Sequence, residues 1–205
     1  MAYIAVSLFY LNKKGEKEML NINKIDNRRI EVFDQYYDQI SLIQKQFRVI
    51  KTLGLNGFEL DDRIVELITD TLKVEIPLKA DISYSIEALV DVPDAIGTTY
   101  YPVENDGTYE IVLNTNYEFC TLTGREDDWL MLQAIETLPH EYRHVWQDVH
   151  GLYKDIKMYE SDEYDEYLSD PAELDAMNFA IEFIVSNDVF SKIAELLDSF
   201  IKKAV

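Results

Sequence analysis

The sequence predicts an α+β fold, and three observations carry that reading. Helical periodicity dominates 27–74 and returns from 127 onward. Between these stretches, 81–117 is rich in β-branched and aromatic residues and is broken by Pro/Asp and "NDG" turn signals. Composition adds the third observation: 205 residues, 47% apolar and 12% aromatic, suffice for one substantial core. One domain is therefore expected over 1–205, with a strand and helices in 1–78 and the chemistry in 79–205.

Taken in order, "MAYIAVSLFY" reads as a buried strand, followed by a turn at 13–15. It is too short to span a membrane, lacks a basic leading region and runs into "KKGEKE", so it does not resemble a signal peptide. The segment 27–53 holds apolar residues at helical spacing without proline or glycine, which predicts a long helix. Gly54 and the "NG" at 56–57 end it, and "ELDDRIVELITDTLKV" forms a second amphipathic helix. "DISYSIEALVDV", "AIGTTYYPVE" and "TYEIVLNTNY" then predict a small three-stranded antiparallel meander. The later helical pattern breaks at Pro139, at Gly151, through the acidic run 160–166 and at Asp170-Pro171.

Charge and cysteine content narrow the classes. With 39 acidic against 19 basic residues the net charge is -20, which repels phosphate backbones and anionic lipid, so neither direct nucleic-acid binding nor a membrane surface is expected. The single cysteine, Cys120, excludes an intrachain disulfide framework or a cysteine-based zinc cluster and fits a reducing, cytoplasmic setting.

All three histidines lie in "LPHEYRHVWQDVH". His140 and His144 are four residues apart, so on a helix they share a face at a separation of roughly 6 Å, within reach of one zinc ion. Glu141 follows the first histidine. In H-E-x-x-H it sits too far round the helix to ligate comfortably, but it can accept a proton from water activated by the metal. A catalytic zinc site needs a third protein ligand, and two residues offer one. His150 stands six residues beyond His144, the metzincin spacing, yet Gln147 occupies the position of that pattern's glycine. The helix is therefore expected to continue and carry His150 to another face. Glu173 is the other candidate and the preferred one. With Asp170 as N-cap and Pro171 at N1, the helix runs to about 185, and Glu173 heads a stripe that is otherwise apolar, formed by Ala176, Met177, Ala180 and Ile184. The spacing Asp170-x-x-Glu173 also suits a capping box, in which Glu173 bonds back to the N-cap amide.

The pairing of "HEYRH" with a downstream "ELDAMNFA", together with "EIVLN" upstream, resembles the ImmA/IrrE-like zinc metallopeptidases of phage and bacteria, small relatives of the gluzincins. The resemblance covers 82–185. It implies a zincin-like core in which His140, His144 and Glu173 ligate Zn2+ and Glu141 is the general base. It also implies that 109–114 lines the cleft as a strand for an extended peptide. The chain departs from the pattern at Pro139, which would start or kink the active-site helix, and at Met177, where many gluzincins place an acidic partner for a ligand histidine. Asp170, Asp175 and Asn178 are alternatives for that role. Tyr142, Arg143, Tyr153, Tyr164 and Tyr167 all lie near enough in sequence to stabilise a transition state, and spacing does not rank them. The reading is a zinc metallopeptidase hydrolysing a peptide bond in a protein substrate. Its alternative is a catalytically silent zincin fold or an acidic-surface interaction protein: an inhibitor, a regulator or a nucleic-acid mimic.

Overall fold

The computed structural model describes residues 9–11, 17–19, 22–89, 95–102, 107–115, 128–152 and 164–205. The chain opens with a short antiparallel pair, β1 (Phe9–Leu11) and β2 (Lys17–Met19), with Phe9 opposite Met19. The first strand is thus present from residue 9, while 1–8 and the turn at 13–15 lie outside the described residues. Helix α1 (Ile22–Thr52) begins five residues earlier than its periodicity suggested and buries Ile25, Val32, Ile40, Ile43, Phe47 and Ile50 along one stripe. It stops at Gly54, whose φ of +68° is open to glycine at little cost. There Gly54 N–H donates to the Lys51 carbonyl and Leu55 N–H to that of Ile50, at 3.1 Å each, satisfying carbonyls that the helix leaves free. Helix α2 (Gly57–Glu75) buries Leu60, Ile64, Ile68 and Leu72, one per turn.

The sheet departs from the expected meander. Strands β3 (Asp81–Glu87), β4 (Gly97–Tyr100) and β5 (Thr108–Asn114) lie in the order β3-β5-β4. β4 and β5 are antiparallel, but β3 runs parallel to β5, with Tyr84 opposite Ile111, so the sheet is mixed. Burial explains the order. β5 buries Tyr109 and the whole of Ile111, Val112, Leu113 and Asn114, so it takes the centre, whereas β3 exposes alternate residues and β4 is Gly-Thr-Thr-Tyr, both suited to an edge. The buried Asn114 sets where β4 begins: its amide group donates to the Ala95 carbonyl at 2.8 Å and its backbone N–H to that of Ile96 at 2.9 Å. Since β5 is paired on both sides, 109–114 has no free ladder edge to offer a peptide, contrary to the expectation.

Helix α3 (Asp128–Val149) contains Pro139 eleven residues in, so it starts at Asp128 and not near the proline. An interior proline removes one helical hydrogen bond, here to the Ile135 carbonyl, and crowds that carbonyl, at a cost of about 3 kcal/mol. The helix continues because its buried stripe runs across the break: Met131, Leu132, Ile135 and Leu138 before it, Tyr142 and Val145 after it. After the one-turn α4 (Tyr164–Tyr167), α5 (Pro171–Ser186) starts as expected. The Asp170 carboxylate accepts from Ala172 N–H at 2.7 Å, and Pro171 opens the first turn. Helix α6 (Val189–Ala204) packs Phe190, Ile193 and Leu197 into the core. Among the described residues no helix is long and apolar enough to cross a membrane.

Two contacts place α3. β4 lies against it so closely that a Cβ on Gly97 would stand 2.5 Å from Thr137 Cγ2 and 3.2 Å from the Val112 carbonyl. Thr137 cannot swing away cheaply, because its hydroxyl donates to the Gln133 carbonyl at 2.9 Å. From the other side, neighbouring arginines of α1 reach two different helices. Arg29 Nε donates to the buried Glu136 of α3 at 2.9 Å, and Arg28 Nε to the half-buried Glu182 of α5 at 3.2 Å.

Gly97→Ala is expected to destabilise the protein by about 1–3 kcal/mol through overpacking. Thr137→Ser removes the colliding methyl and should restore most of that loss in a double variant, as read by urea unfolding. Arg29→Met should cost more than Arg28→Met, because it strands a buried carboxylate whereas the second breaks a partly exposed pair. Burial raises the Glu136 pKa and Arg29 opposes that rise, so the variant raises it further. A carboxyl whose folded pKa lies above its unfolded value keeps its full stabilising contribution below the unfolded pKa and loses it as pH climbs through the folded one. The deficit of Arg29→Met should therefore grow from pH 5 to pH 8; a deficit independent of pH would contradict the assignment.

Candidate metal centre

Helices α3 and α5 pack side by side, and their facing surfaces bring three ionisable side chains together. His140 and His144, one turn apart on α3, point their Nε2 atoms at each other across 3.0 Å. Glu173, in the first turn of α5, sets Oε2 at 3.2 Å from His140 Nε2 and Oε1 at 3.4 Å from His144 Nε2. Glu173 thus faces the histidines and closes no capping box: the Asp170 carboxylate caps the helix, and the Asp170 N–H donates to the Tyr167 carbonyl at 3.1 Å.

The chemistry of these donors fits a metal ion. Two imidazole nitrogens and a carboxylate oxygen lie within 4.8 Å of one another. Bonds of about 2.0–2.1 Å in a tetrahedron put ligand atoms roughly 3.3–3.4 Å apart, close to the separations here. Glu173 Oε2 is also buried without a well-directed hydrogen bond, a costly state for a carboxylate oxygen unless something positive meets it. Without a metal, protons fill that role. Burial alone would lower the His144 pKa, but the Glu173 carboxylate, with Glu141 and Gln147, outweighs it and raises the group to about 9. Burial likewise pushes Glu173 up, yet the two imidazoles hold it well below the usual carboxylate range. Only one of the two facing Nε2 atoms can carry a proton along the 3.0 Å line between them.

The surroundings fix these groups firmly. His144 Nδ1 lies 2.9 Å from Gln147 Oε1, and Gln147 Nε2 donates to the Ala172 carbonyl and to Asp175 Oδ2, both at 2.9 Å. Asp175 also accepts from Arg143 Nε at 2.8 Å and Nη2 at 3.2 Å, and the Arg143 guanidinium stacks on Trp146 at 3.8 Å. One turn before His140, Glu136 is buried with Oε1 lacking a hydrogen bond, and the His140 charge acts on it.

Glu141 lies on the β4 side of α3. Its Oε2 accepts from the Thr99 hydroxyl at 2.7 Å, and the same hydroxyl lies 3.1 Å from the Glu141 carbonyl. Two tyrosines complete the surroundings. Burial first, then the charges of Glu141, Asp148 and Glu173, hold the Tyr101 hydroxyl above its usual pKa. Tyr167 is raised by burial, by the charges of Glu173 and Glu141, and by a hydrogen bond with Glu173. Both therefore remain neutral O–H donors at pH 7.

Of the residues singled out from sequence, His140, Glu141, His144 and Glu173 meet. His150 does not: it is exposed beyond the end of α3, stacked on Trp146 at 4.3 Å with Nδ1 at 2.8 Å from the Trp146 carbonyl. Tyr142 is a core residue whose hydroxyl donates to the Ile76 carbonyl at 2.7 Å, and Arg143 is held by Asp175. Cys120, Tyr153 and 160–163 lie outside the described residues. Gln147 counted in the sequence only as a missing glycine, although its position three after His144 on one helix face was a readable signal. Thr99 and Tyr101 went unremarked, although with Gly97 they alternate toward one side of β4 and its C-terminal end.

In comparisons with family models, with curated proteins and with solved structures, the chain finds no match. The donor geometry is tested directly by metal content. One equivalent of zinc per chain is expected by elemental mass spectrometry, lost in His140→Ala and Glu173→Ala and retained in His150→Ala. Equal retention in all three variants would rule the centre out.

Proposed function

We propose that the chain is a zinc-dependent metallopeptidase of the ImmA/IrrE-like kind, hydrolysing a peptide bond in a protein substrate. The observation that supports this most is the position of Glu141. It directly follows a candidate ligand, is held by Thr99 on one oxygen, and shares its electrostatic surroundings with Glu173 at both Tyr101 and Tyr167. Nitrogen and oxygen donors of this kind suit zinc among the available divalent ions. Zinc bound by His140, His144 and Glu173 would supply Lewis acidity, lowering the pKa of a water to about 7 and polarising the scissile carbonyl.

The chain's own residues do the rest. Thr99 occupies Glu141 Oε2, so the proton of the attacking water is taken at the other oxygen. Water adds to the carbonyl carbon, the C–N bond breaks, and Glu141 returns the proton to the leaving amine, which restores the carboxylate. Tyr101 stands at the end of β4 as a neutral donor for the carbonyl oxygen as it gains charge, while Tyr167 is engaged by Glu173. Among the described residues the outer edge of β4 pairs with no strand, and it flanks α3. An extended substrate can lie along that edge by backbone hydrogen bonding.

Glu141→Gln should leave zinc stoichiometry unchanged while slowing cleavage at least about 10²-fold, the usual scale for a lost acid/base group. The assay is mass spectrometry of a mixed peptide pool incubated with zinc-loaded protein. Undiminished cleavage by the variant would refute the mechanism. Absence of cleavage by zinc-loaded wild-type protein would shift weight to the interaction-protein reading, for which the net charge of -20 is the supporting feature.

A further inference from the structure

Met177 stands where a carboxylate would be expected to orient a ligand histidine, yet His144 is not left without a partner. We propose that Gln147 is the positioning residue of the centre: its amide, locked by Asp175 and the Ala172 carbonyl, holds His144 with Nδ1 protonated and Nε2 turned toward His140 and Glu173. This rests on the metal-centre reading and adds to it the element that prepares one ligand.

The argument is one of hydrogen-bond polarity. An amide group has a donating nitrogen with two N–H bonds and an accepting oxygen, and coordinates alone seldom tell the two ends apart. Here the partners decide. One end of Gln147 faces the Ala172 carbonyl and Asp175 Oδ2, at 2.9 Å each, and both are acceptors only. That end must be the nitrogen, and its two N–H bonds are then both used. The other end is the oxygen, which cannot donate, and it lies 2.9 Å from His144 Nδ1. His144 Nδ1 must therefore carry a hydrogen, and the nitrogen left with its lone pair in the neutral ring is Nε2. A neutral imidazole ligates through its unprotonated nitrogen, so the hydrogen that the ring gives up to an incoming ion is the one on Nε2, the nitrogen turned toward His140 and Glu173.

Asp175 is what makes the lock one-way. Its paired contacts with Arg143 at 2.8 and 3.2 Å hold it in place, and the Arg143 guanidinium itself lies over the rings of Trp146 and Phe179. A flip of the Gln147 amide would set its oxygen against the Asp175 carboxylate and the Ala172 carbonyl, three acceptors with no proton among them. Gln147 is buried, so water cannot relieve that conflict cheaply. The chain of contacts also ties the two metal-bearing helices together, because Arg143, His144 and Gln147 belong to α3 while Ala172, Glu173 and Asp175 belong to α5.

The experiment pairs zinc affinity with histidine NMR. Gln147→Met keeps length and bulk but removes both polar ends. It should weaken zinc binding 10–100-fold in competition with a chromophoric chelator, the usual effect of losing an orienting partner. In metal-free, 15N-histidine-labelled wild-type protein, His144 should show an exchange-protected Nδ1–H resonance, absent from the spectrum of Gln147→Met. A simple packing role for Gln147 would move neither that resonance in Asp175→Asn nor the tautomer. Asp175→Asn is expected to shift or broaden the resonance, since it lets the Gln147 amide reverse, and it serves in place of Gln147→Met if that variant does not fold. Unchanged zinc affinity in Gln147→Met, or a wild-type His144 that is not protonated at Nδ1, would overturn the proposal. If wild-type protein binds no zinc, the metallopeptidase reading fails by itself, and the NMR arm still decides the role of Gln147.

Discussion

Three ionisable side chains at one helix–helix contact set the terms for the rest of this molecule. His140, His144 and Glu173 sit with their reactive atoms 3.0–3.4 Å apart, mostly screened from water, at the junction of α3 and α5. Burying charge in this way is unfavourable unless the geometry is held closely and every polar atom is met. The second requirement is only partly satisfied by the chain, since Glu173 Oε2 lacks a well-directed partner. The first is satisfied from several directions at once. Gln147, Asp175 and Arg143 bind α3 to α5, the Gly97–Thr137 contact sets how near the sheet comes, and Arg28 and Arg29 approach from α1.

Much of this could be read from residue order alone, wherever the information is local. The stripe of α1, the one-per-turn leucines and isoleucines of α2, and the Asp170-Pro171 start of α5 all depend on neighbours within a turn or two. The same holds for the shared face of His140 and His144. Glu173 was legible because a single carboxylate heading an apolar stripe is anomalous without reference to anything distant.

What could not be read depends on tertiary competition. Strand order is one such case: each of the three β segments was visible, but β5 displaces β4 from the position beside β3 because it buries more, a comparison among segments that no single window contains. Pro139 is another. Local rules end or kink a helix there, and the apolar residues on both sides of it carried α3 through. Thr99, Tyr101 and Gln147 owe their places to what faces them: the Glu141 carboxylate, a charged cluster and a fixed aspartate. Such roles emerge only when the elements are brought together.

The two arginines of α1 bear on how divisible the molecule is. They are consecutive residues, about 100° apart around the helix, and so they brace two different partners at once. A fragment starting at residue 79 would contain every histidine and both site glutamates, and by inspection of its sequence it would look self-sufficient. It would nonetheless leave Glu136 without its counter-charge one turn below His140, and it would uncover the apolar faces that α3, α5 and α6 turn toward α1. The long first helix is better regarded as the outer wall of the centre than as an appendage to it, and the smallest working unit is larger than the motif that gives it away.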